Sequence, residues 1–173
     1  GGEAHHRPSS ETGSRDVEGV IERTNVSMEF LPEENRLGKD WLQSKGCQDG
    51  EPFICLLVRD DAFLDSDPLS SNRAVDWGYH SYRNSDIATY VHAIEWLVEQ
   101  GVWILRMGKI MEKPFPSQHE HIIDYAFCPD RSDLLDIWLF ANCTGCISTG
   151  SGLDAVSYLY DKPIIYLNYS PLT

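Results

Sequence analysis

Short apolar runs separated by stretches of helical periodicity constrain this chain more than any other feature. "FICLLVRD" from Phe53, "VWILRMG" from Val102, "HIIDYAF" from His121, "GCIST" from Gly145 and "KPIIYLNY" from Lys162 are too short for buried helices. Bounded by turn residues and without strict alternation, they read as strands covered on both faces. Between them, Ile87, Tyr90, Val91, Ile94, Leu97 and Val98 recur at helical spacing, with Ser85 as the N-cap and Gly101 as the stop. Ser132 caps a second helix, "DLLDIWLFAN", whose apolar positions are Leu134, Leu135, Ile137, Trp138 and Phe140. "SGLDAVSYLYD" reads as a third. This alternation predicts an α/β fold, a Rossmann-like doubly wound parallel sheet of about five strands with helices on both faces. The exception is "KIMEKPFPSQHE", where Pro114 and Pro116 discourage a helix and make the crossover irregular.

The 173 residues suit one domain with a tail. Residues 1–25 are polar, rich in Gly and Ser and without periodicity, and read as disordered or loosely attached. Residues 26–51 form a lead-in with a helix in which Leu37 and Trp41 pack inward and Gly46 is the stop. Residues 52–173 carry the sheet. The missing initiator Met reads as the mark of a fragment or processed product, and no helix returns after the last strand, so the C-terminal end reads as cut.

Charge excludes some partners. With 27 acidic against 14 basic residues, the formal net charge is −13, which argues against nucleic acid and against adhesion to anionic lipid. No apolar run approaches the ~20 residues of a membrane span. Five cysteines, an odd number, read as thiols of a reducing, cytoplasmic compartment.

Ligands of an open parallel sheet sit beyond the carboxyl ends of its strands. Those ends carry Arg59, Asp60 and Asp61; Arg106, Met107, Gly108 and Lys109; Asp124 and Tyr125, then Asp130 and Arg131; Ser148, Thr149, Gly150, Ser151 and Gly152; and Asn168 and Tyr169. The Ser148–Gly152 stretch opens a helix, where free amides attract anions and glycine permits close approach. An ordinary tight turn accounts for the same residues equally well. It is neither a Walker loop nor a G-x-G-x-x-G fingerprint, and the G-x-S-x-G elbow is not met. Arg83 and Asn84 precede a helix start, where an arginine can grip phosphate or serve as a surface ion-pair partner. Arg59 ends a buried strand, where its charge needs a partner: an anion, or Asp60 or Asp61.

No metal is expected. "DSD" at Asp65–Asp67 reads as solvated loop acids, "HEH" at His119–His121 lacks a third ligand, and "CTGC" at Cys143–Cys146 lacks the second pair a zinc site needs and reads as packing thiols.

"HSYRNSDIATY", "ILRMGK", "DYAF", "DRSDLLDIWLFANC" and "STGSGLDAVSYLYDKPIIYLNYSPL" together resemble a family of GT-B-type glycosyltransferases met in bacterial surface-polysaccharide gene clusters. The likeness spans about Pro52 to Thr173. The last block is more distantly similar to heptosyltransferases, and "LLVRDD" with "STGSG" to fucosyltransferases. The resemblance implies the nucleotide-sugar-binding half of a two-half enzyme, with no metal and no cofactor beyond the donor substrate. By it, Ser148 to Gly152 would hold the donor diphosphate, Arg59 or Arg83 would neutralise it with Asn84 beside them, Gly108 and Lys109 would lie near the nucleoside, and Asp130, Arg131 and Asp133 would line the cleft. His80 is a candidate base by loop position alone. The partners implied are a nucleotide sugar, a carbohydrate acceptor and a second Rossmann-like half, at a cytoplasmic location that includes the inner face of the membrane. This half alone would transfer no sugar. Rival readings on the same scaffold are a nucleotide-sugar epimerase and a non-catalytic nucleotide-binding or assembly module.

Overall fold

The computed structural model describes residues 28–66 and 82–169, together with Gly19 and Arg23. His80, Asp67, most of the expected tail and residues 170–173 lie outside the described residues. Five strands form one sheet: β1 (Phe53–Leu57), β2 (Trp103–Arg106), β3 (Ile122–Ile123), β4 (Gly145–Ser148) and β5 (Ile164–Tyr166). Their order across the sheet is β3-β2-β1-β4-β5 and every pairing is parallel. Within residues 28–66 and 82–169 the helices are α1 (Pro32–Ser44), α2 (Ala62–Ser66), α3 (Val91–Glu99), α4 (Asp133–Asn142) and α5 (Asp154–Leu159), with 3₁₀ turns at Ile87–Tyr90 and Tyr125–Phe127. This is the Rossmann-like α/β fold that the alternation predicts.

Successive residues of the central strands supply two cores. On one face Phe53, Cys55, Leu57, Trp103, Leu105 and Met107 pack with Trp41 and Leu42 of α1 and with Leu135, Trp138 and Leu139 of α4. On the other, Leu56, Val58 and Ile104 meet Ile87, Tyr90, Ile94 and Val98. Burial on both sides explains why these strands carry no polar alternation.

Several local expectations are corrected. The 3₁₀ turn that leads into α3 is capped by Asp86, whose carboxylate accepts from the Ala88 N–H at 3.1 Å. Ser85 is engaged elsewhere, at 2.5 Å from the Asn168 side-chain amide. Trp41 packs inward as expected, but Leu37 is 42 % exposed, because α1 turns Gly38 and Leu42 inward with Trp41. Ile137 is exposed as well: α4 buries the neighbouring Asp136, which pairs with Arg131. The third strand is only two residues long, its continuation curling into the Tyr125–Phe127 turn. The region from Lys109 to Glu120 forms neither helix nor strand, as its prolines foretell. Cys143 and Cys146 are buried free thiols that help fill the first core.

Gly38 is where α1 closes on α4. A Cβ there would lie 2.1 Å from Cδ2 of Trp138. Gly38→Ala therefore sets a helix-propensity gain of about 1 kcal/mol against overpacking of about 1–3 kcal/mol. The buried indole cannot retreat, so a net loss of stability is expected in urea unfolding.

The core thiols give a second expectation. Burial pushes Cys47 up to about 11 and Cys146 up to about 12 from an ordinary value of 9.0, with nearby acidic groups adding to it. Cys143 is the exception, drawn down to about 7 by the Cys55 thiol. A raised acid favours the fold fully below its unfolded value and loses that contribution as pH climbs toward its folded value. The depressed Cys143 completes its contribution by pH 9.0 and cannot compensate beyond it. Stability measured by denaturant titration is expected to fall steadily above pH 9.0, toward the values near 11 and 12, and Cys146→Ala is expected to flatten that fall.

Candidate functional site

The strand order reverses between β1 and β4. The chain leaves β1 toward β2 and β3, then crosses back to place β4 on the other side. At such a switch point, loops leave the carboxyl ends of adjacent strands in opposite directions and open a crevice. The register pairs Leu57 with Ser148, so both strands end at one level. A cleft of about 760 Å³ lies above them.

Arg59 follows β1 and Arg83 precedes the Ile87–Tyr90 turn, and both line this cleft with Gly150, Ser151 and Gly152. The cationic end is built by hydrogen bonds between loops. The Arg59 N–H donates to Thr149 Oγ1 at 2.9 Å, and the Ser85 N–H donates to the Arg59 carbonyl at 3.0 Å. Arg83 Nη1 donates to the Gly150 carbonyl at 3.3 Å, and its guanidinium lies 5.8 Å from the Tyr82 ring centre. Burial, and after it the nearby Arg83, pulls the ionisation of Arg59 below the ordinary arginine value, with Asp61 opposing. Two guanidiniums thus share one site, an arrangement that a bound anion would relieve.

The turn after β4 is internally braced. Ser148 Oγ donates to Asp154 Oδ2 at 2.5 Å and accepts from the Gly150 N–H at 3.0 Å. The Ser151 N–H donates to the same Asp154 oxygen at 2.9 Å. Ser148 and Thr149 have no exposed surface. The hydroxyls of both and the amides of Gly150 and Ser151 therefore serve the turn. Gly152 is exposed, and among the described residues no atom beyond its chain neighbours comes within 4 Å of where a Cβ would stand, so its backbone is open to the cleft. Gly150 has φ +79°, and a Cβ there would lie 2.8 Å from the Tyr169 ring, which closes over it.

The remaining lining joins Asp60, Asp133, Asp136 and Asp154 to an apolar wall. Phe63, Ile110, Ile137, Tyr166 and Tyr169 are large, exposed and turned to the cleft. The rings of Tyr166 and Tyr169 are 4.6 Å apart. Gly108 and Lys109 line the far side near Asp133, with Lys109 Nζ 4.0 Å from the Asp133 carboxylate. The whole is a two-arginine end joined to an aromatic-lipped trough whose acids are held by protein partners where Asp136 meets Arg131, Asp133 meets Lys109 and Asp154 meets Ser148. It suits an anionic ligand with a flat or weakly polar body.

Other expected residues lie elsewhere. Asn84 lines an adjoining acidic depression with Asp60, Asp61, Asp86 and Glu112. Asp130 is held by Lys45 at 2.9 Å and by the Trp41 indole at 2.8 Å, outside the cleft lining. Arg131 supports the cleft from behind by pairing with Asp136, which does line it. Arg106, at the end of β2, is 1 % exposed and spends itself on Asp124 at 3.5 Å and the Lys113 carbonyl at 3.2 Å. His121 stacks on Trp103, and among the described residues no group of three metal-ligating side chains converges.

Sequence reasoning missed Asp154 and Asp136 and did not assign Tyr166 or Tyr169 a role. Asp154 had a signal: Ser151-Gly-Leu-Asp154 has the spacing of a capping box, in which the acid reaches back to an amide three residues earlier. Asp136 had none, since its partner Arg131 lies off the helix.

These features define a class: a Rossmann-like α/β domain with a two-arginine cleft at its topological switch point. No family model, curated protein or solved structure matches the chain. Among the described residues, no helix is long and apolar enough to cross a membrane.

Gly150→Ala tests the turn. Left-handed backbone costs an L-residue about 1–2 kcal/mol, and the Tyr169 ring must also move. Thermal unfolding is expected to show that loss, with Tyr169→Ala restoring only the part due to the ring.

Proposed function

We propose that this domain is the donor-binding half of a glycosyltransferase. It would hold a nucleoside-diphosphate sugar for transfer to a glycan or other surface-carbohydrate acceptor. The observation that carries the reading is the convergence of Arg59 and Arg83 on one cleft at the switch point. The sequence likeness supplies the reaction class.

In this reading the two guanidiniums grip the diphosphate with the open backbone at Gly152, while Ser148 and Thr149 act from beneath. The apolar wall of Phe63, Ile137, Tyr166 and Tyr169 takes the flat base or the sugar ring. Gly108 and Lys109 close the far side. Transfer breaks the bond between the anomeric carbon and the diphosphate oxygen, so negative charge grows on the leaving diphosphate. Fixed guanidiniums stabilise that charge without reorganising. The acceptor hydroxyl must lose a proton to a base, and the second half of the enzyme supplies it. No metal is required where two arginines meet the diphosphate.

An acidic protein can hold an anion in this way, because nearby cations in a low-dielectric crevice set the local potential whatever the net charge.

Titration calorimetry with UDP, GDP and ADP tests the reading. Measurable heat is expected with at least one, and Arg59→Ala or Arg83→Ala is expected to weaken that binding by about 1.5–3 kcal/mol, the cost of losing a charged hydrogen-bond partner. Absence of heat and of thermal shift with all three would overturn it.

A further inference from the structure

Asp154 is 6 % exposed and carries a carboxylate into the base of the cleft. A buried carboxylate is costly unless hydrogen-bonded. Here two donors meet one of its oxygens: Ser148 Oγ at 2.5 Å and the Ser151 N–H at 2.9 Å. Ser148 then uses its own oxygen to accept the Gly150 N–H at 3.0 Å. The three bonds tie the turn together from Ser148 to Ser151.

Both arginines hang on that turn. Thr149 Oγ1 accepts the Arg59 N–H, and the Gly150 carbonyl accepts Arg83 Nη1. Two guanidiniums repel one another, so their shared approach needs a rigid frame. We infer that Asp154 is the positioning residue of the anion site: through Ser148 and the Ser151 amide it holds the turn in the one shape that keeps Arg59 and Arg83 converged. It acts through the turn and touches no phosphate, which its own charge would repel. The inference rests on the two-arginine cleft being an anion site.

Because both bonds end on a single oxygen, geometry matters here more than charge. An asparagine oxygen in the same place accepts both donors, and its amide group then takes the position of the other carboxylate oxygen. Asp154→Asn is therefore the conservative rescue, and Asp154→Ala the deletion.

The test is titration of the chain with inorganic pyrophosphate, which reads the cationic end without a base or sugar, alongside thermal unfolding of each variant. Asp154→Ala is expected to weaken pyrophosphate binding by about tenfold or more, while Asp154→Asn stays within about threefold of the wild type. Added to Arg83→Ala, Asp154→Ala is expected to cost less than it does alone, since one of the two arginines it positions is already gone. If Asp154→Ala does not fold, Ser148→Ala interrupts the same relay and is expected to weaken binding in its place. A folded Asp154→Ala with wild-type affinity overturns the inference, as does Asp154→Asn binding no better than Asp154→Ala. Absence of binding by the wild type overturns the anion-site reading itself and takes this inference with it.

Discussion

The parallel pairing of β1 with β4 is the constraint on which the rest of this molecule depends. β1 sits in the middle of the sheet with β2 on one side and β4 on the other, and its residues feed both cores. Leu57 pairs with Ser148, so the last residues of the two strands stand side by side at the reversal of strand order. Arg59, two residues past β1, and Thr149, next after β4, are then close enough for a backbone amide to reach a threonine hydroxyl. A slip of one residue would turn each of these side chains to the other face of the sheet and break that bond. The cleft is thus a consequence of register before it is a matter of loops.

The carboxyl edge of the sheet concentrates buried polar groups, and their hydrogen bonds sort them by role. Arg106 ends β2 as Arg59 follows β1, yet the two are not equivalent. Arg106 is enclosed by Asp124, the Lys113 carbonyl and the ring of Phe127, which binds the irregular crossover to the sheet. Asp124 completes that brace by accepting the Phe115 N–H at 2.7 Å. The Arg106 guanidinium is committed to the fold. Arg59 is tied by its backbone, which leaves its side chain for the cleft. A buried charge locked to protein partners is architecture, whereas a charge held by its main chain beside another like charge is the kind of group a ligand site is built from.

The strands were legible because burial on both faces writes itself as short apolar runs, and the carboxyl edge followed from them, whereas the strand order that sets the switch point did not. α3 and α4 were legible from their periodicity and polar caps, although the cap ahead of α3 moved one residue, to Asp86, because Ser85 meets Asn168 across the molecule. That contact joins residues far apart in the chain, and no local pattern encodes it. Asp130 and Arg131 illustrate the same limit. Both follow β3 in sequence, but Lys45 and Trp41 of the lead-in capture one and Asp136 the other. Position after a strand placed residues near the carboxyl edge of the sheet; partners from distant elements decided which of them reached the cleft.

The turn after β4 reverses the simplest reading of its composition. Two glycines among hydroxyls suggest a loop whose amides await an anion. In the folded chain an internal carboxylate already answers two of those donors, the Ser151 amide directly and the Gly150 amide through Ser148. The glycines have separate tasks: Gly150 supplies a positive φ and room beneath Tyr169, and Gly152 leaves backbone open to the cleft. A bare amide nest binds anions only as well as its loop holds still. A nest braced by its own acid gives up some donors and gains a fixed platform, and here that platform carries two guanidiniums whose charge outweighs the amides it withdrew.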